Sequence, residues 1–228
     1  MSYPIISPYF NVGVLKSISV KITCPGKNNY GTGTLIKDKG VFYVLTAAHV
    51  IMNDKVPFDI KEIKIEGFWS QNARIIKGVK VEKYNSEPDK DYAIIRIEDP
   101  EGCTFDFDNC LLVVKSCEGT YPYYSFGFSK GGGLEGRGRK LEYQGSGKWK
   151  VNDNISTVGL SIDEVMGGQS GAGVFVTDQS RLYLVGFVKS TVNDGDVHDD
   201  ISVQPMGVFN YDWNNNWYDN IEIGRAHV

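Results

Sequence analysis

The sequence predicts an all-β protein, a barrel or a sandwich built from many short strands. Three observations carry that expectation. Short runs rich in Val, Ile, Tyr, Phe and Thr recur along the chain. Clusters of Gly, Asn, Asp and Pro separate them. No amphipathic pattern of helical period persists beyond about ten residues.

Taken in order, the expected strands begin with Ser17 to Thr23. Gly31 to Lys37 and Val41 to Ala47 follow as a hairpin across Asp38-Lys39-Gly40. A short helix is expected around Ala47 to Met52. Ile60 to Gly67 comes next, then Ile75 to Tyr84, where Ile75, Lys77, Val79 and Val81 alternate against their neighbours. Tyr92 to Glu98 completes the first half. The turn cluster Asp99-Pro100-Glu101-Gly102 opens a boundary segment reaching Gly119. The second half offers Leu111 to Lys115, Tyr123 to Phe128, Leu141 to Tyr143, Ile155 to Ile162, Gly171 to Thr177, Tyr183 to Lys189 and Ser202 to Phe209. Ser129 to Lys140 reads as a flexible Gly-rich loop; it lacks the Gly-Lys-Ser/Thr ending of a phosphate loop. A last short helix is expected near Trp213 to Asn220, its tryptophans packed on the strands. The expected units are 1–105 and 106–222. No internal repeat is detectable.

At 228 residues the chain is long enough to bury a substantial core without metals or disulfides. Hydrophobic residues at 41% and charged residues at 23% exclude a disordered chain, and scattered glycines exclude collagen. A net charge of -4, with no long basic run, argues against a nucleic-acid partner. No apolar run approaches the ~20 residues of a membrane helix. The N-terminus shows no basic region followed by an apolar one, so a cytoplasmic protein is expected. Cys24, Cys103, Cys110 and Cys117 are then free thiols by default. Their spacing is not that of a zinc site, and His198 among aspartates reads as a surface residue, so no metal or cofactor is expected. Residues 223–228, Ile-Gly-Arg-Ala-His-Val, match a translated sequencing adapter and are set aside; a further C-terminal domain beyond Glu222 is left open.

Three stretches carry chemistry. Thr46-Ala47-Ala48-His49 delivers a histidine just after a strand ends. Asp91 directly precedes the apolar run Tyr92-Ala93-Ile94-Ile95. Ser170 sits in Gly167-Gly168-Gln169-Ser170-Gly171-Ala172-Gly173, a turn before a strand. A serine hydroxyl is a weak nucleophile and needs an imidazole to take its proton. The imidazole needs a carboxylate to fix its tautomer and stabilise its charged form. A developing oxyanion needs N–H donors aimed at one point. Glycines around Ser170 let the N–H groups of Gly168 and Ser170 converge. Taken singly, each has an ordinary reading as a strand-end histidine, a capping carboxylate or a turn serine.

Together, and in the order His49, Asp91, Ser170, these motifs resemble the trypsin/chymotrypsin-like serine peptidases. The resemblance covers Ser17 to about Phe209. It implies two packed antiparallel six-stranded β-barrels, the first carrying His49 and Asp91, the second Ser170. It implies an endopeptidase acting on a polypeptide substrate without a cofactor. Leu184 to Ser190 resembles the strand that pairs with substrate and walls the specificity pocket, which brings in Lys189, Ser190 and Thr191. Met206-Gly207-Val208-Phe209 resembles the strand closing the other side, through Gly207. Glu164 falls where a pocket-floor residue would lie and would favour Lys or Arg at the cleaved position. The acidic loop of Asp194, Asp196, Asp199 and Asp200 would rim the same pocket. Two departures stand out. No cysteines flank His49 or precede Ser170, as they do in the disulfide-rich secreted branch. Gln169 occupies the place of the aspartate that a freed N-terminus pairs with, so that activation switch cannot operate here. The competing reading is a latent or inactive module of the same fold used for binding.

Overall fold

The structure is a computed structural model. It describes residues 12–26, 30–38, 40–69, 73–87, 90–105, 112–114, 123–128, 136–145, 148–151, 168–178, 181–191 and 200–205. The chain enters through a short helix, α1 (Val12–Ser17), where the sequence pattern had a strand beginning at Ser17. Ser17 Oγ donates to Val14 O (2.7 Å) and Ser19 Oγ to Leu15 O (2.8 Å), satisfying carbonyls that the helix end leaves open.

The first sheet follows from β1 (Ser19–Thr23), β2 (Tyr30–Asp38) and β3 (Val41–Thr46). A single helical turn, α2 (Ala48–Ile51), and a ribbon of β4 (Met52–Asn53) and β5 (Val56–Pro57) come next. Then run β6 (Lys64–Gly67), β7 (Arg74–Ile76), β8 (Gly78–Glu87) and β9 (Lys90–Ile97). The order is β7-β6-β1-β2-β3-β9-β8. β7 and β8 stand at opposite edges of that order, yet only Lys77 separates them in the chain. One nearly continuous stretch therefore closes the sheet on itself, and the ring holds six strands' worth of chain. Closure removes the sheet's open edges, which would otherwise be pairing sites.

The expected alternation holds from Ile75 to Val79 and is broken at Val81, which packs against the core. Ile75 and Val79 are exposed, whereas Ile76 is buried. Two register shifts, between Gly78 and Lys80 and between Val81 and Lys83, interrupt the pattern beyond Gly78. A bulge inserts one unpaired residue, and with a period of two a single insertion swaps the faces. Ile60 to Lys61 likewise lies in a turn, and the strand of that segment begins only at Lys64.

The second sheet is built from β10 (Leu112–Val114), β11 (Tyr123–Gly127), β12 (Arg137–Gly145), β13 (Lys148–Val151), β14 (Gly173–Asp178), β15 (Arg181–Thr191) and β16 (Asp200–Pro205). Its order is β10-β15-β14-β11-β12-β13-β16, with β15 also pairing β16. The ring β15-β14-β11-β12-β13-β16 is thereby closed with six strands, and β10 adds to it in parallel. Arg137 to Lys140, expected in the Gly-rich loop, belongs to β12 and pairs with β11. β13, around Trp149, was absent from the expected strands. The expected strand Ile155 to Ile162, the strand Met206 to Phe209 and the helix near Trp213 lie outside the described residues.

The largest cluster of buried side chains joins the halves: Val20, Leu35, Leu45 and Ile95 share it with Phe126, Phe128, Phe175 and Phe187. A second cluster holds Val174, Val176, Val185 and Val188. Phe175 and Val174 thus face opposite sides of β14, and both sides are buried, which explains its uninterrupted apolar run. Each such side chain contributes about 1.5–3 kcal/mol on burial. Among the described residues no helix is long and apolar enough to cross a membrane.

Candidate active site

β3 and β9 are antiparallel, with Thr46 beside Ala93. The end of β3 therefore lies next to the start of β9. The chain leaves β3 through Ala47 into α2, which carries His49; β9 starts with Lys90 and Asp91. Two residues 42 apart in sequence meet for this reason. Asp91 Oδ1 accepts from the His49 backbone N–H (3.0 Å), and Oδ2 faces His49 Nδ1 at 2.5 Å. The first bond also satisfies one open N–H at the start of α2, where Ala47 supplies no side-chain cap. The His49 side chain is 50% exposed and that of Asp91 only 10%, so the carboxylate is a buried support under an accessible ring.

The electrostatics agree. Burial of Asp91 works to raise its pKa, but the hydrogen bonds and charge of His49 and the ammonium of Lys189 outweigh it and hold the pKa below its ordinary value. The carboxylate is ionised at neutral pH and stabilises a positive imidazole. Gln204, buried in β16, offers Oε1 to the Asp91 backbone N–H (3.3 Å) and so reaches from the second sheet into the first.

The Ser170 turn is held between the halves. Ser170 O accepts from Thr32 N (2.8 Å). Gly171 N donates to Val188 O (2.7 Å), Val188 N donates to Ala172 O (2.8 Å), and Ala172 N donates to Gln169 O (2.9 Å). Gly168 and Gly171 have φ of +93° and +86°, a region that side-chain-bearing residues rarely enter. Gly171 is doubly constrained: a Cβ there would overlap Thr32 O and Thr46 Oγ1 and lie 3.1 Å from Ala47 N. The serine turn is thus pressed against the end of β3, just before the chain reaches His49. Gln169 is buried against Gly127 and Ala172, and its Nε2 has no hydrogen-bond partner among the described residues.

A cleft of about 590 Å³ opens beside His49, lined by Pro25, Gly26, Met52, Asn53, Asp54 and Phe58. All its walls come from the first half. Lys189, Ser190 and Thr191 follow Val188 directly along β15, so the expected pocket-wall strand runs beside the serine turn. Lys189 acts electrostatically on Asp91. Glu164, Gly207, Asp194, Asp196, Asp199 and His198 lie outside the described residues, as do Cys110 and Cys117. Neither Cys24 nor Cys103 is joined in a disulfide. Among the described residues no group of three His, Cys, Asp or Glu side chains is placed to hold a metal.

Sequence reasoning missed Thr32, Gln204 and the bonding role of Thr46, which tie the segments bearing His49, Asp91 and Ser170 together. Thr32 lies within the expected strand Gly31 to Lys37 with nothing local to single it out, and no local pattern marks Gln204.

This arrangement is a two-barrel all-β fold with a His–Asp pair at the junction. The family model described as a trypsin-like peptidase domain matches residues 31–186, more than half of the chain. The chain belongs to the trypsin-like peptidases. No curated protein sequence matches it. Among solved structures, the protease domain of MamO from Magnetospirillum magneticum is similar at a TM-score of 0.58 and 17% identity, covering 90% of this chain and 100% of that one. An inactive form of Rv3671c from M. tuberculosis is similar at 0.55 and 15% identity, covering 91% of each. A scabies mite inactivated protease paralogue, S-D1, reaches 0.58 at 13% identity, covering 88% and 92%. At these identities the likeness is one of fold. It agrees with the two-barrel all-β architecture expected from the motifs.

Proposed function

We propose that the protein is a serine endopeptidase with Ser170 as nucleophile, His49 as general base and acid, and Asp91 as the group that orients His49. The observation carrying this reading is the buried Asp91 carboxylate 2.5 Å from His49 Nδ1. With Nδ1 held there, the ring's other nitrogen, Nε2, takes the proton from Ser170 Oγ as that oxygen attacks the peptide carbonyl. The carbonyl π electrons move to oxygen, and the N–H groups of Gly168 and Ser170 receive the oxyanion. Collapse expels the amine, which takes the proton from Nε2 and leaves an ester on Ser170. Water then repeats the cycle: Nε2 removes its proton, the acid is released, and Ser170 Oγ is reprotonated. Asp91 stays ionised throughout and offsets the imidazolium charge.

The substrate is proposed to be a polypeptide, with Glu164 selecting Lys or Arg before the cleaved bond and Lys189, Ser190, Thr191 and Gly207 lining the same pocket. The competing reading, a peptidase fold kept for binding, takes support from the fold likeness to an inactivated paralogue. One experiment separates them. Intact-mass analysis after treatment with a fluorophosphonate is expected to show a single adduct on the wild type and none on Ser170→Ala. A folded wild type without an adduct would favour the binding module.

A further inference from the structure

Thr32 is the third residue of β2, is fully buried, and lies in the half of the molecule that does not carry Ser170. Its polar atoms nevertheless all engage at the site. The hydroxyl donates to Gly168 O (2.7 Å) and accepts from Phe128 N–H (3.0 Å). The backbone N–H donates to Ser170 O (2.8 Å), and the carbonyl accepts from Thr46 Oγ1 (2.7 Å). A hydroxyl is one donor and a ready acceptor, so Thr32 Oγ1 is used in both senses.

The placement of these bonds matters more than their number. Gly168 lies two residues before Ser170 at φ +93°, backed so closely on Phe128 O that a Cβ there would overlap it. Two bonds from Thr32 therefore grip the turn at both ends, at Gly168 O and at Ser170 O. Fixing those two carbonyls fixes the planes of their own peptides, and Gln169 O, which accepts from Ala172 N (2.9 Å), holds the one peptide between them. The Ser170 N–H belongs to that gripped stretch, and the Gly168 N–H adjoins it. Through Thr46 the same residue is bonded to the strand that leads to His49.

We propose that the Thr32 hydroxyl is a positioning residue for the oxyanion-binding turn, supplied by the first barrel to the catalytic serine of the second. This inference rests on the peptidase reading above. Oxyanion donors stabilise only the transition state when their geometry is preset, and a displacement of about 1 Å can cost about 10²-fold. Removal of the hydroxyl is thus expected to slow chemistry while leaving ground-state peptide binding alone.

The test compares Thr32→Val, which keeps the shape and removes the hydroxyl, with Thr32→Ser, which keeps the hydroxyl. Each is assayed for the rate of fluorophosphonate labelling and for kcat and KM on a peptide amide, at a temperature where circular dichroism shows it folded. Peptide affinity is measured separately in a Ser170→Ala background. Thr32→Val is expected to lose about 10- to 100-fold in labelling rate and kcat, with peptide affinity unchanged. Thr32→Ser is expected to recover to within about threefold of the wild type. If Thr32→Val does not fold, Thr32→Cys replaces it, with a weak S–H donor in place of the hydroxyl, and is expected to show a loss of the same kind. A labelling rate equal to wild type in Thr32→Val or Thr32→Cys would overturn the inference. So would a Thr32→Ser as slow as Thr32→Val, or a loss confined to peptide affinity. An unlabelled wild type would instead remove the peptidase reading itself, and this inference with it.

Discussion

Replacing Asp91 with Asn removes one charge and one acceptor while keeping the shape. In the wild type, Oδ1 accepts from the His49 backbone N–H and Oδ2 faces Nδ1. An Asn amide has one oxygen and one NH2 group. If the oxygen keeps the backbone bond, the NH2 faces Nδ1, and Nδ1 must become the acceptor. The ring proton then resides on Nε2, which can no longer receive the proton of Ser170. The charge term can be worked separately. With Nδ1 and Oδ2 at 2.5 Å, the imidazolium and carboxylate charge centres are about 4 Å apart, worth about 4 kcal/mol at an effective dielectric of about 20. That corresponds to about 10³-fold in rate. Half-exposure of His49 reduces this figure, and the wrong tautomer adds to the loss. The expected decrease in kcat is about 10³- to 10⁴-fold. Pre-steady-state kinetics on a peptide ester would measure it, and ¹⁵N chemical shifts of the His49 ring would report the tautomer. A loss under about tenfold, or an unchanged Nδ1–H tautomer in Asp91→Asn, would refute the role given to Asp91.

Three further outcomes are expected. The pKa of Asp91 is held below its ordinary value, so the folded state binds this proton less readily than the unfolded state. The resulting stability is fully present above the unfolded value of about 3.9 and is lost as pH falls through the depressed folded value. In urea titrations the stability gap between wild type and Asp91→Asn should therefore narrow below about pH 4; a constant gap would exclude this linkage. Gly171→Ala combines a φ of +86° with overlap against Thr32 O and Thr46 Oγ1. It should cost about 3 kcal/mol and abolish labelling of Ser170, read by thermal unfolding and intact mass. An unchanged Tm with full labelling would show that the turn has slack. Glu164→Gln should lower cleavage after Lys or Arg and spare Ser170 labelling. Unchanged preference across a peptide library would remove Glu164 from the pocket.

The legible part of the fold is the part with a local cause. Val174-Phe175-Val176 reads as a buried strand because apolar side chains there occupy both faces of β14. The alternation of Ile75, Lys77 and Val79 does not extend to Val81 because a bulge leaves no fixed signature in the pattern it interrupts. Arg137 to Lys140 was read as loop because its glycine and charged residues suit a loop, whereas pairing with β11 places it in β12. Tertiary pairing overrides so weak a propensity.

The sequence by itself determined the all-β class, the three motifs and their order, since a turn rich in glycine, a strand end and an apolar run are each set by neighbouring residues. Only the tertiary structure decided that β7 and β8 close one ring and that β15 meeting β16 closes the other. It alone seated Asp91 beneath His49, by pairing β3 with β9. It alone gave Thr32 its hold on Gly168, 136 residues away, and Gln204 its bond to Asp91, 113 residues away. Such bonds join a side chain to a distant backbone group, and backbone groups are the same in every residue, so nothing in the order of side chains announces which one will be met.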